Sequence, residues 1–158
     1  MAGLFRMMII KLQSHFPLRV TDWLAAGILT SWGFCCLALP PQAWELPAHE
    51  GLARIASQSV WGIAATGLGL VRMTALFING AVRRTPHVRA IGAFLSAFLW
   101  LQLSFAMFMT SMPTISIAIY PWLFVADIYN VFRAAQDARI ADQRAKELRG
   151  AHRNAAAT

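Results

Sequence analysis

Residues 90–126, AIGAFLSAFLWLQLSFAMFMTSMPTISIAIYPWLFVA, contain no Asp, Glu, Lys or Arg. A bilayer hydrocarbon core about 30 Å thick needs roughly 20 apolar residues of helix at about 1.5 Å each. The stretch is too long for one crossing and suits two. Thr110-Ser111-Met112-Pro113-Thr114 supplies the break, because proline fits the first turn of a helix and not its interior. The reading is two membrane helices, about 90–109 and 115–132, joined by a tight hairpin.

Composition agrees. The 158-residue chain is 58% hydrophobic and 13% charged, against about 25% charged in soluble domains. Upstream, an uncharged run from Trp23 to Trp44 predicts a span over about 20–39, closed by Pro40-Pro41. A second span covers about 55–79 and ends at Gly80, a residue suited to a helix C-terminus. Between them, residues 42–54 read as a loop with Glu45, Glu50 and Arg54. The expected fold is all-α, an integral membrane four-helix protein.

Three pieces make up the chain. Residues 1–18 form a short amphipathic segment with Phe5, Met8, Ile9, Leu12 and Phe16 on one face, suited to the headgroup region and read as an uncleaved anchor. Residues 19–132 hold the four spans, and 133–158 form a charged tail, helical to about Arg149 and frayed after Gly150.

Twelve of the fourteen Lys and Arg cluster in three segments: Arg6, Lys11 and Arg19; Arg83, Arg84 and Arg89; and six bases of the tail. With four spans, all three segments fall on one side, which places both termini in the cytoplasm. The net charge of +7 is thereby assigned to topology and the lipid surface, and no nucleic-acid partner is expected. Trp23 and Tyr129 fall near the inner boundary and Trp44 and Trp61 near the outer one. Trp32, Trp100, Tyr120 and Trp122 lie deeper and need packing partners.

Polar residues inside the spans are the candidate site. A charge at mid-helix costs about 2.5–3.5 kcal/mol on insertion scales and therefore seeks a partner or the bundle interior. Arg72 lies eleven residues before Arg83, about 16 Å along a helix. Asp127, six residues before Arg133, falls in the same half of the membrane and is the expected partner, with Asp22 the second choice. Such a set serves as a structural ion pair or, in a channel or transporter, as part of an ion path. Pro121 is a candidate hinge near Asp127, since it removes one helical hydrogen bond. Small residues four apart, Gly27 with Ser31, Gly62 with Thr66, Ala65 with Gly69 and Gly92 with Ser96, mark candidate helix-packing faces.

Catalytic and cofactor patterns are absent from the sequence. His15, His49, His87 and His152 all lie outside the expected spans, which leaves no bis-histidine haem site within the bundle and no metal cluster. Cys35-Cys36 are adjacent and read as small apolar side chains. The GLGL at 67–70 lacks the lysine of a phosphate-binding loop, and no GxSxG elbow occurs. The expectation is a non-enzymatic protein without a cofactor.

NGAVRRTPHVRA at 79–90 and YPWLFVADIYNVFRAAQDAR at 120–139, with PLRVTDW at 17–23 and LARIASQSVWG at 52–62, resemble small multi-span membrane proteins of bacteriophages and prophages. The resemblance carries no catalytic role. It implies a setting, the bacterial inner membrane, and within it a scaffold or accessory subunit that binds a protein partner through its tail or spans, or forms a homo-oligomer. A holin-like lysis protein is the alternative; Met7 and Met8 would then offer alternative starts that omit Arg6.

Overall fold

The computed structural model describes residues 19–81, 86–112 and 114–155, without the side chains of 79–81 and 152–155. The amphipathic segment expected over 1–18, the bases Arg83 and Arg84, and Pro113 of the hairpin lie outside the described residues. Among those residues every regular element is helical.

Helix α1 is Val20–Ala38, followed by the short α2 (Pro41–Trp44), a 3-10 turn (Pro47–His49) and α3 (Glu50–Ile55). Helix α4 is Gln58–Ala81, α5 is Pro86–Phe108 and α6 is Ser116–Ala155. Three helices are long and apolar enough to cross a membrane: α1, α4 over Gln58–Ile78, and α5. Helix α6 is longer, at 40 residues, but its apolar start soon takes in Asp127, Asn130 and Arg133.

The four long helices pack as a closed ring. Helix α1 runs antiparallel along α4, α5 runs antiparallel along α6, and the pairs meet through α4 with α5 and α1 with α6. Close approach of α1 and α4 depends on small residues. A Cβ on Gly62 would press on Leu37 of α1, and one on Gly69 would strike Thr30. Ala65 is fully buried, and Thr66 lies against Gly33 of α1. Gly62, Thr66, Ala65 and Gly69 thus lie on this seam, as their spacing predicts. Gly27 and Ser31 do not: Gly27 has open space where a Cβ would stand and Ser31 is exposed, because the α1 face turned to α4 is Ala26, Thr30 and Gly33.

The apolar core lies toward the end of the bundle where α1 finishes. Leu29, Trp61, Ala65, Trp100, Leu103, Ala106 and Met107 fill it, closed from above by Leu52 of α3. Trp32 meets Trp61, Trp100 and Tyr120, each with ring centroids 6.4 Å away and steeply inclined. Its indole N–H donates to the Tyr120 hydroxyl at 2.8 Å. Trp32, Trp100 and Tyr120 therefore find packing partners, although the buried Trp100 indole N–H has no acceptor among the described residues. Trp122 does not: it is 73% exposed, since its place on α6 points away from the ring.

Residues 42–54 are not the loop the sequence suggests, since short helices run through 41–55. Pro41 and Pro47 each begin a short helix, where the missing N–H costs nothing. The resulting cap is tied to the bundle at several points. Gly51 lies so close to the Ala106 carbonyl that any Cβ there would collide with it. Thr110 donates to the Pro47 carbonyl, and the Trp61 indole N–H donates to the Leu52 carbonyl at 3.1 Å. Gln58 at the start of α4 donates to the carbonyls of Cys36 and Leu39, at 2.6 and 2.8 Å, so carbonyls at the end of α1 are satisfied.

Helix boundaries also shift. Helix α5 begins at Pro86, four residues before the expected span, so Arg89 is helical. Helix α4 continues past Gly80 to Ala81. Helix α6 passes through Pro121 and then through Gly150 without interruption, so the tail is not a separate piece and does not fray at Gly150. Alanine-rich sequence with mixed charges supports a helix there.

Candidate functional site

Each long helix contributes a charged side chain to one buried cluster at the end opposite the cap. Asp22 comes from the first turn of α1, Arg72 from α4, Arg89 from the first turn of α5, and Asp127 from α6. Arg72 grips Asp127 through both terminal nitrogens, Nη1 to Oδ2 at 2.9 Å and Nη2 to Oδ1 at 2.8 Å. This two-pronged geometry matches a guanidinium to a carboxylate. Both side chains are withdrawn from solvent, 4% and 0% exposed.

Asp22 stands between the two arginines. Its Oδ1 is 3.8 Å from Arg72 Nη2, and its Oδ2 accepts from Arg89 Nη2 at 2.5 Å. Arg89 Nη1 reaches onward to Asp137 of α6 at 2.8 Å, on a side chain that is half-exposed. The buried part of the chain is Asp127–Arg72–Asp22–Arg89, two carboxylates and two guanidiniums, and is neutral as a unit. Neutrality and multiple hydrogen bonds are what make charge tolerable in an apolar interior.

Polar neighbours complete the satisfaction of Asp127. Ser96 of α5 donates to its Oδ2, and Asn130 Nδ2 donates to its Oδ1 at 3.2 Å. Thr21 of α1 donates to the Asn130 carbonyl oxygen at 2.8 Å. Gly92 has a different duty. A Cβ there would stand 3.0 Å from Arg72 Cγ, so its bareness lets the arginine stem cross from α4 toward α6. The void left beside Asp22, Arg72, Arg89 and Gly92 is about 20 Å³, room for about one water molecule.

The predicted set of Arg72, Asp127 and Asp22 is thus brought together, with Gly92 and Ser96 serving this cluster. Sequence reasoning missed Arg89, counted there with Arg83 and Arg84 as a loop base. It is 4% exposed. A signal was present: Arg89, Ala93, Ser96, Ala97 and Trp100 recur every three or four residues and form one buried face of α5. Asn130 was legible in the same way, since Asp127, Asn130, Ala134 and Ala138 share the buried stripe of α6.

Other candidates stay apart. Pro121 lies within continuous α6, toward the cap from Asp127, and leaves the Ile117 carbonyl without its usual donor. His49 stacks on Trp44 at 5.3 Å, and its Nδ1 lies 2.6 Å from the Ala43 carbonyl. His87 is exposed, 3.7 Å from exposed Asp142; His15 and the side chain of His152 lie outside the described residues. Cys35 is exposed and Cys36 buried. Among the described residues no His, Cys, Asp and Glu gather as a metal site. On the cap, the Ser111 hydroxyl (2.9 Å) and Arg54 (2.5 Å) hold the Glu50 carboxyl below the usual carboxylate range.

The apolar exterior and the internal ion network define a helical bundle of membrane type. No protein-family model, curated protein or solved structure matches the chain.

Proposed function

We propose that the chain is a four-span protein of the bacterial inner membrane, of phage or prophage type, with both ends in the cytoplasm. It acts there as a non-enzymatic scaffold or accessory subunit. The observation that carries this reading is the continuity of α6, 40 residues from Ser116 to Ala155. At about 1.5 Å per residue it is about 60 Å long, twice the hydrocarbon thickness. Large exposed apolar side chains line its first half as far as Phe132; beyond that only Ile140 and Leu148 are large, apolar and exposed among the described residues.

The first half of α6 is accordingly the fourth span, and its polar residues Asp127 and Asn130 face inward. The second half stands in water as a helical arm carrying Arg133, Arg139, Arg144 and Lys146 with Asp137, Asp142 and Glu147. The Arg89–Asp137 pair fixes its base to α5. A charged helix held rigidly against a membrane bundle is suited to receiving a cytoplasmic protein.

The closed pairing of Arg72 and Asp127 supports a structural role for the network over an ion path. Reporter tags at either end of the chain should be unreachable from outside intact cells, and the protein should resist carbonate extraction. Native mass spectrometry from mild detergent should show a stoichiometric complex that is lost when residues 139–158 are removed. An externally reachable tag refutes the topology; an unchanged complex refutes the arm as the docking element.

A further inference from the structure

A second cavity, about 110 Å³, lies between the cap and the bundle, far from the ion network. We propose that it binds a small quaternary ammonium group, a site that goes beyond the scaffold reading and stands or falls separately from it. Its walls include the rings of Trp32, Trp44, His49 and Tyr120, together with Cys36 and Met107. No Lys, Arg, Asp or Glu lines it.

Size narrows the ligand. A dry apolar cavity of about 150 Å³ takes up benzene, so 110 Å³ accommodates roughly four or five non-hydrogen atoms. Chemistry narrows it further. Aromatic faces attract a cation through their quadrupole, and quaternary ammonium groups are bound this way because they need no hydrogen-bond acceptors. An anion would find no Lys or Arg in the wall.

The walls are also held in place. Trp32 is fixed by its bond to Tyr120 and by its contacts with Trp61 and Trp100. Trp44 is stacked nearly parallel on His49, at 8°. A pre-formed aromatic site loses little ordering entropy on binding. The group has two sources with the same chemistry, a free small cation and the choline head of a lipid.

The test uses the full chain in a maltoside detergent and titrates tetramethylammonium chloride against tryptophan fluorescence and heat. Saturable binding is expected, with tert-butanol, of nearly the same shape and uncharged, binding at least tenfold more weakly. Trp44→Leu should weaken tetramethylammonium about tenfold. Trp122→Leu, on the exposed face, should leave it unchanged. In nanodiscs, competition by phosphatidylcholine relative to phosphatidylglycerol assigns the site to a lipid head, and its absence assigns it to a free cation. Equal binding of tert-butanol, no saturable binding, or unaltered binding in Trp44→Leu with unaltered melting would overturn the proposal. Should Trp44→Leu fail to fold, loss of discrimination between the two titrants in Tyr120→Leu carries the same weight.

Discussion

Replacing Asp127 by leucine should be among the most damaging single changes in this chain, and replacing Arg72 at the same time should undo much of the damage. Asp127 takes both terminal nitrogens of Arg72 at 2.8 and 2.9 Å. Without it, Arg72 keeps only Asp22, at 3.8 Å, in a site 4% exposed. Breaking one side of a buried pair typically costs about 3–5 kcal/mol. At about 1.4 kcal/mol per decade that lowers the folding equilibrium by a factor of 10² to 10³ or more. The double variant Arg72→Met with Asp127→Leu removes both charges and fills similar volume, so its cost should fall to about 2 kcal/mol or less. Part of that remainder comes from Ser96 and Asn130 Nδ2, which both lose Asp127 as acceptor; Asn130 Oδ1 still accepts from Thr21. Unfolding in mixed micelles by steric trapping measures all four members of the cycle. Additive single and double costs, or single variants within about 0.5 kcal/mol of the parent, would refute the argument. Loss of an ion flux in Arg72→Leu at unchanged stability and membrane abundance would instead favour a path through the cluster.

Other sites give separate tests. Arg89→Leu should cost about 3 kcal/mol because it leaves buried Asp22 with only Arg72, at 3.8 Å; Asp137→Ala, at the half-exposed end, should cost about 1 kcal/mol or less by the same unfolding assay. Gly51→Leu should separate the cap from α5, read as faster thiol labelling of Cys36, because its side chain would occupy the place of the Ala106 carbonyl. The Glu50 carboxyl should titrate by NMR below the ordinary glutamate range, and Ser111→Ala should move it back upward. Since its folded pKa is the lower one, its contribution to stability is present at neutral pH and fades as pH falls through that depressed value.

Much of this architecture is legible in the residues. Charge-free runs announce the helices α1 and α5, a run broken only by Arg72 announces α4, and a place in the same half of the membrane is enough to pair Arg72 with Asp127. What escapes is information that depends on direction around a helix. Arg89 sits next to a basic loop in sequence but turns inward, because the α5 face that carries it also carries Ala93, Ser96 and Trp100. Gly27 and Ser31 have the spacing of a packing motif and face away from it. The cap reads as a loop because Pro40, Pro41 and Pro47 look like interruptions, whereas Pro41 and Pro47 begin turns of helix. Trp100 and Trp122 look alike in sequence; one is fully enclosed and the other stands 73% exposed.

The unbroken run of α6 has a mechanical corollary. From Arg133 to Ala155 the helix extends about 33 Å beyond its apolar first half, the proposed fourth span, at the standard rise. A tilt of the bundle by about 10°, well within the range membrane helices explore, would sweep the far tip sideways by about 6 Å. Changes in bilayer thickness or curvature, too slight to disturb any internal contact, would thereby be magnified into a displacement a bound protein could register.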